Sequence, residues 1–244
     1  MLSRIREPEK MDDPAIDAES HLRALDELAQ INRLTRMANR FWRPLLEFHK
    51  NKSNRVTRVL DIGTGRGDLP IALAALAEKH KVNIEFSGID LSQRCVDYAS
   101  KIAAECRSPV KFIQQDALSG QLPMIVDVII SSQFMHHLDP PQIVKLLSDM
   151  KASGAKLIMV GDLVRNYFNL GTVCFFTSLF SSSKVAKFDG PVSVRAAFTI
   201  AEWQKMAHEA GLDGANIRPV FPVHMIMVWH TDEPAVQVEK LTST

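Results

Sequence analysis

The stretch "VLDIGTGRGDLP", residues 59–70, decides the fold. An apolar run ends on Asp61, and glycines follow at 63, 65 and 67 before a helical pattern begins. A strand that turns through glycine into a helix is the first half of a βαβ unit, and in an open α/β sheet ligands bind outside the carboxyl ends of the strands. A dinucleotide loop places its third glycine three residues beyond the second, so that helix and strand pack while pyrophosphate rests on the helix N-terminus. Here that position is Asp68. Together with Asp61 it brings negative charge to where a pyrophosphate would approach, so the loop suits a cofactor that carries positive charge and no phosphate.

Outward from this loop, short β-branched runs alternate with helical patterns: "VTRVLDI", "NIEFSGID", "VKFIQQD", "VDVIIS", "AKLIMVGDL", "ANIRPVF" and "HMIMVWH". That rhythm predicts βαβ units and a largely parallel sheet covered by helices on both faces. Before the first strand, Leu22, Leu25, Leu28, Ile31, Leu34, Phe41, Leu45 and Leu46 recur at three- and four-residue steps and predict two helices with one buried face. Asp139 with Pro140 and Gln142, and Thr199 with Glu202, read as helix starts, the second helix ending near Gly211. "DPPQ" at 139–142 is therefore a helix start.

One interval breaks the rhythm. Residues 164–198 are too long for an ordinary connection and too apolar for a disordered loop. Tyr167, Phe168, Phe175, Phe176, Leu179 and Phe180 there, with Phe41 and Trp42 from the N-terminal helices, suggest an apolar lid over a hydrophobic or aromatic ligand, or else ordinary helix packing.

Composition narrows the class. The 244 residues are 46% hydrophobic and 23% charged, enough for one sizeable core. A net charge of +1 provides no broad footprint for a phosphate backbone, so nucleic acid is a disfavoured partner. Cys95, Cys106 and Cys174 form no C-x-x-C pair and predict neither a disulfide framework nor a zinc site, in keeping with a cytoplasmic protein. The charged opening "MLSRIREPEKMDDP" lacks the apolar core of a secretory signal, and "FNLGTVCFFTSLF" is too short for an integral membrane segment. No His/Asp/Glu set has metal-ligand spacing along the chain, so no metal is expected.

The pattern "LDIGTGRGD", Leu60 to Asp68, resembles motif I of the class I S-adenosylmethionine-dependent methyltransferases. "FSGIDLS" and "FIQQDAL" end the next two strand patterns on Asp90 and Asp116, where that family carries its ribose and adenine contacts. The resemblance implies an α/β, Rossmann-like, seven-stranded sheet, mostly parallel with an antiparallel final strand region and helices on both faces. It implies S-adenosylmethionine as cofactor, held by Asp61, Gly63, Thr64, Gly65, Gly67, Asp90, Leu91, Asp116, Ala117 and Ser132. It also implies an N-terminal tail and helical cap at 1–52, a methyltransferase domain at 53–232 with an apolar lid insert at about 164–198, and a C-terminal tail at 233–244.

After the fourth strand pattern, "SQFMHHLDPPQ" resembles the segment that lines the methyl in small-molecule members of the family. His137 or His136 then becomes a general base for a phenol or enol, because imidazole titrates near neutrality. Either histidine reads equally as a packing residue. The expected reaction is transfer of methyl to oxygen, or second to carbon, of a hydrophobic or aromatic small molecule. Two other readings stay open: an NAD(P)-dependent oxidoreductase, opposed by Asp68, and a cofactor-binding scaffold that does not turn over.

Overall fold

A computed structural model of the chain describes residues 2–13, 15–52, 55–120, 122, 126–181 and 183–231. The tail expected at 233–244 lies outside the described residues. Two helices lead: α1 (Ala18–Leu34), capped by the Asp17 side chain on the Ser20 N–H, and α2 (Met37–Asn51). Strands and helices then alternate as β1 (Thr57–Ile62), α3 (Asp68–His80), β2 (Ile84–Asp90), α4 (Gln93–Glu105), β3 (Lys111–Gln114), β4 (Val128–Ser132), α5 (Pro140–Ala152) and β5 (Leu157–Leu163). Helices α6 (Tyr167–Phe180), α7 (Lys184–Ala196) and α8 (Ile200–Glu209) follow, and β6 (Asn216–Val220) and β7 (His224–His230) close the sheet.

The sheet order is β3-β2-β1-β4-β5-β7-β6. The first five strands are parallel, while β7 runs antiparallel between β5 and β6. The order reverses between β1 and β4, so the crevice expected for a ligand opens at the carboxyl end of β1.

Period-two alternation divides the apolar strand residues between two cores. Leu60, Ile62, Ile129 and Ile158 face α5 and α8, where Ile143, Leu147, Trp203 and Met206 cover them. Val59, Val128, Ile130, Leu157 and Met159 face the other way, against Phe41, Trp42 and Leu45 of α2 and Leu69 and Leu73 of α3. Phe41 and Trp42 are thus core residues, the helix-packing alternative and not the lid. Gly161 of β5 lets Phe41 in, since an added Cβ would lie 2.9 Å from the ring.

Both helix starts read from the sequence form capping boxes, Asp139 with Gln142 and Thr199 with Glu202. Thr199→Ala is expected to cost about 1 kcal/mol in urea unfolding, because it removes the hydroxyl that accepts the Glu202 N–H. A change under a few tenths would mean that the box adds nothing to α8.

Candidate functional site

Beyond Ile62 the chain enters a loop in which Gly63, Gly65 and Gly67 all have positive φ, of 67°, 54° and 76°. Gly63 is further constrained by Phe134, whose Cδ2 would lie 2.6 Å from an added Cβ. The loop is fastened to β2 by the Gly65 N–H, which donates to Asp90 Oδ2 at 2.8 Å, while Oδ1 of the same carboxylate accepts from Ser92 at 2.9 Å. Each Asp90 oxygen keeps acceptor capacity, and burial raises its pKa.

Asp61 is the buried acid of the loop. It is 2% exposed, and its Oδ2 accepts from the Thr64 hydroxyl at 2.6 Å. Its Oδ1 is buried without a hydrogen-bond partner among the described residues. Burial, against the Thr64 hydrogen bond and aided by Asp68 and Asp90, pushes its pKa up to about 8. A buried carboxylate with one orphaned oxygen calls for a cationic donor.

The other expected contacts are distributed along the same strand tips. Leu91 follows β2 and is 68% exposed, a large apolar face left open. Asp116 lies two residues past β3 and caps the turn at Ala117–Ser119, its Oδ1 accepting from the Leu118 N–H at 2.8 Å; Ala117 is buried. Ser132 ends β4, and its hydroxyl is buried without a partner among the described residues.

Helix α1 roofs this loop, a feature that the strand and loop motifs do not announce. Leu25 Cδ2 is 3.9 Å from an added Gly65 Cβ, and Asn32 Nδ2 donates to Asp68 Oδ2 at 3.0 Å. Asp26 of α1 takes an ion pair from Arg66 at 3.0 Å and a hydrogen bond from the Tyr98 hydroxyl at 2.8 Å. A groove of about 950 Å³ runs between α1, α2 and α3. It includes Arg66 and Asp68 but none of Asp61, Asp90 and Asp116, so it lies beside the crevice at the strand tips.

At the tip of β4, the 3-10 turn Met135–His137 sets two histidines side by side, their ring centroids 4.3 Å apart. Asp162, at the end of β5, accepts the His136 backbone N–H at 3.0 Å and the His136 Nδ1–H at 2.7 Å. On the far side of that ring, Glu9 Oε1 is 3.6 Å from Nε2. Burial works against the charged imidazole, yet the Asp162 and Glu9 carboxylates push its pKa up to about 10. His136 is therefore a held imidazolium here and not a free base. His137 keeps 24% of its side chain exposed, and its Nδ1 lies 3.0 Å from Asp12 Oδ2.

Glu9 and Asp12 are site residues without a local sequence signal, because the N-terminal segment reaches the histidines from 125 residues away or more. Asp189 of α7 holds that segment by accepting from the Lys10 and Met11 N–H groups at 2.8 and 3.0 Å. Arg4 donates to the Ala196 and Leu138 carbonyls at 2.6 and 2.8 Å. Arg165 joins the Leu2 carbonyl, the Ala197 carbonyl and Glu202 at 2.8, 2.6 and 2.8 Å. The charges of the 164–198 interval thus anchor the N-terminus.

That interval forms the packed pair α6 and α7, and α6 has no charged residue. Its large apolar side chains are neither core nor a closed cover: Tyr167, Phe168, Phe175, Phe176 and Leu179 are between 53% and 72% exposed. Phe180's side chain and Ser182 lie outside the described residues. Among the described residues, no helix is long and apolar enough to cross a membrane.

Residues 59–153 match the family model described as "Methyltransferase domain". Comparison with curated proteins gives no match. Among solved structures, a protein assigned as an O-methyltransferase from Nostoc punctiforme PCC 73102 is 21% identical, with a TM-score of 0.53 over 78% of this chain; the chain spans 57% of that protein's length. Magnesium protoporphyrin IX methyltransferase from Synechocystis PCC 6803, solved with bound S-adenosylhomocysteine, is 18% identical, with a TM-score of 0.54 over 80% of this chain and 81% of its own. The plantazolicin methyltransferase BamL, solved with a substrate analogue and S-adenosylhomocysteine, is 19% identical, with a TM-score of 0.58 over 82% and 70%. At these identities the structural likeness carries the fold.

Proposed function

We propose that this chain, whose residues 59–153 match a methyltransferase-domain model, is a class I S-adenosylmethionine-dependent methyltransferase and methylates an oxygen of a hydrophobic or aromatic small molecule. The observation that supports the cofactor side is the orphaned, buried Oδ1 of Asp61, an acceptor that an ammonium group of the cofactor would satisfy. The free acceptor capacity of Asp90 suits a pair of ribose hydroxyls, Leu91 offers an apolar face to the adenine, and Asp116 with Ala117 is assigned to the adenine edge by the family resemblance. Gly63, Thr64, Gly65 and Gly67 shape the loop, and Ser132 adds an unspent hydroxyl at the tip of β4. When bound, S-adenosylmethionine supplies a methyl on a sulfonium, already activated toward displacement.

The protein's own task is then to aim an acceptor, exclude water and handle a proton. His137 is the accessible member of the histidine pair, and with its Nδ1 engaged by Asp12 it offers Nε2 to an acceptor hydroxyl. His136, braced by Asp162, fixes the turn that presents it. Phe134, in van der Waals reach of Gly63, links that turn to the cofactor loop. The exposed apolar surface of α6 supports an acceptor taken from a hydrophobic source. Free thiols at Cys95, Cys106 and Cys174 support a cytoplasmic setting.

Incubation with S-adenosylmethionine and a panel of apolar phenols, enols and amines, read by mass spectrometry, tests this. An O-methyl ether as the main product is expected. A carbon- or nitrogen-methylated product overturns the assignment to oxygen, and binding without turnover across the panel favours the scaffold.

A further inference from the structure

The geometry points to a binding site for one divalent first-row transition-metal ion, formed by the Glu9 carboxylate and the Nε2 atoms of His136 and His137. It rests on the side-chain set itself and not on the methyl-transfer reading. The three ligand atoms lie within 4.8 Å of one another. Glu9 Oε1 is 3.6 Å from His136 Nε2, and Glu9 Oε2 is 4.0 Å from His137 Nε2. Both separations are too long for hydrogen bonds. Both lie below the roughly 4.2 Å beyond which two ligands, each about 2.1 Å from the metal, could no longer share one ion. Glu9 and His136 are 5% and 3% exposed, and His137 borders solvent, so the set is a buried corner with one open side.

The surroundings are arranged as a metal requires. Each histidine turns its Nδ1 to a carboxylate, His136 to Asp162 at 2.7 Å and His137 to Asp12 at 3.0 Å. That partner fixes the ring orientation and leaves Nε2 aimed inward, able to ligate once it has lost its proton, the outer-shell pattern of metal-ligating histidines. Glu9 is oriented in turn by the Ser193 hydroxyl, which donates to Oε1 at 2.5 Å. Three carboxylates surround two imidazoles, an excess of negative charge that a dication offsets. When the ion enters, the proton now on His136 leaves to solvent.

Two imidazoles and one carboxylate select the class of ion. This donor set suits Zn²⁺, Fe²⁺, Co²⁺ or Mn²⁺, whereas Mg²⁺ and Ca²⁺ prefer all-oxygen sites. Three protein ligands leave a position open, as in catalytic rather than structural metal sites. With the ion bound, both Nε2 lone pairs are taken, and the ion itself lowers the pKa of an oxygen acceptor coordinated to it.

Tag-free full-length protein, stripped with chelator and dialysed, is titrated with Zn²⁺ by calorimetry and with Co²⁺ by visible absorption. Binding of one ion per chain is expected, with Co²⁺ d–d bands showing mixed nitrogen and oxygen ligation. Asp12→Asn should weaken binding about 10- to 100-fold through His137, and Glu9→Gln and His137→Ala by at least as much. His208→Ala, at a separate surface histidine, should leave the titration unchanged. Absence of stoichiometric binding by the wild type overturns the site, as does wild-type affinity in folded Glu9→Gln, His137→Ala or Asp12→Asn protein. Displacement of Zn²⁺ by modest Mg²⁺ overturns the class of ion.

Discussion

Asp61→Asn is expected to weaken S-adenosylhomocysteine binding about 100-fold, as calorimetry would read it, while the protein stays folded. Asparagine has the same shape and keeps an oxygen for the Thr64 hydroxyl, so the loop is not disturbed. What it loses is the ability to ionise against an ammonium group, and hydrogen bonds to charged partners contribute about 1.5–3 kcal/mol each. An affinity within threefold of wild type would show that Asp61 does not hold the amino group. The same substitution has a second signature, in the ligand-free protein. Burial raises the Asp61 pKa to about 8 in the folded state, against 3.8 as the ordinary value. Between those limits the folded protein keeps a proton that the unfolded chain releases, so stability declines as pH rises from about 4 to about 8 and levels off above. The amide that replaces the carboxyl in the variant cannot titrate. The wild type should therefore lose melting temperature relative to D61N across that window, and parallel melting curves would show that the carboxyl is not buried as described.

The central strands were legible because a sheet buried on both faces leaves near-continuous apolar runs, as in β1, β4 and β5, while the exposed edge strands β3 and β6 were found only from the rhythm of the runs. The helix starts were legible because caps are local chemistry, as Asp139 and Thr199 illustrate. Phe41 and Trp42 stayed ambiguous for a definite reason: an aromatic stripe at helical spacing says that a face is buried, not what buries it, and here the sheet does. The histidine corner was legible only in part. His136 and His137 stand in a recognisable segment, but Glu9 and Asp12 arrive from the other end of the chain, held by Asp189 and Arg165, whose own roles are equally non-local. No local spacing encodes a contact of that kind, which is why a metal set could not be read along the chain.

Gly63→Val is the substitution expected to do most damage, removing detectable S-adenosylhomocysteine binding and lowering stability by about 2–5 kcal/mol. Two costs coincide at this position. A φ of 67° is a conformation that a β-branched residue avoids, at about 1–2 kcal/mol. The new Cβ would also stand 2.6 Å from Phe134 Cδ2 and 2.8 Å from Phe134 Cβ, and overpacking of this sort costs about 1–3 kcal/mol. Phe134 cannot yield quietly, because the Met135–His137 turn begins beside it and His136 is tied to Asp162. The clash should therefore reach the histidine corner as well as the cofactor loop. Gly154→Val separates the two costs: its φ is 85°, but nothing lies within 4 Å of an added Cβ, so it should show the backbone strain alone and bind the cofactor normally. Adding Phe134→Ala to Gly63→Val should return part of the lost stability, a coupling that a double-mutant cycle reads directly. If Gly63→Val bound S-adenosylhomocysteine like the wild type, the loop would not be the cradle its geometry describes, and Phe134 would not couple it to the acceptor side.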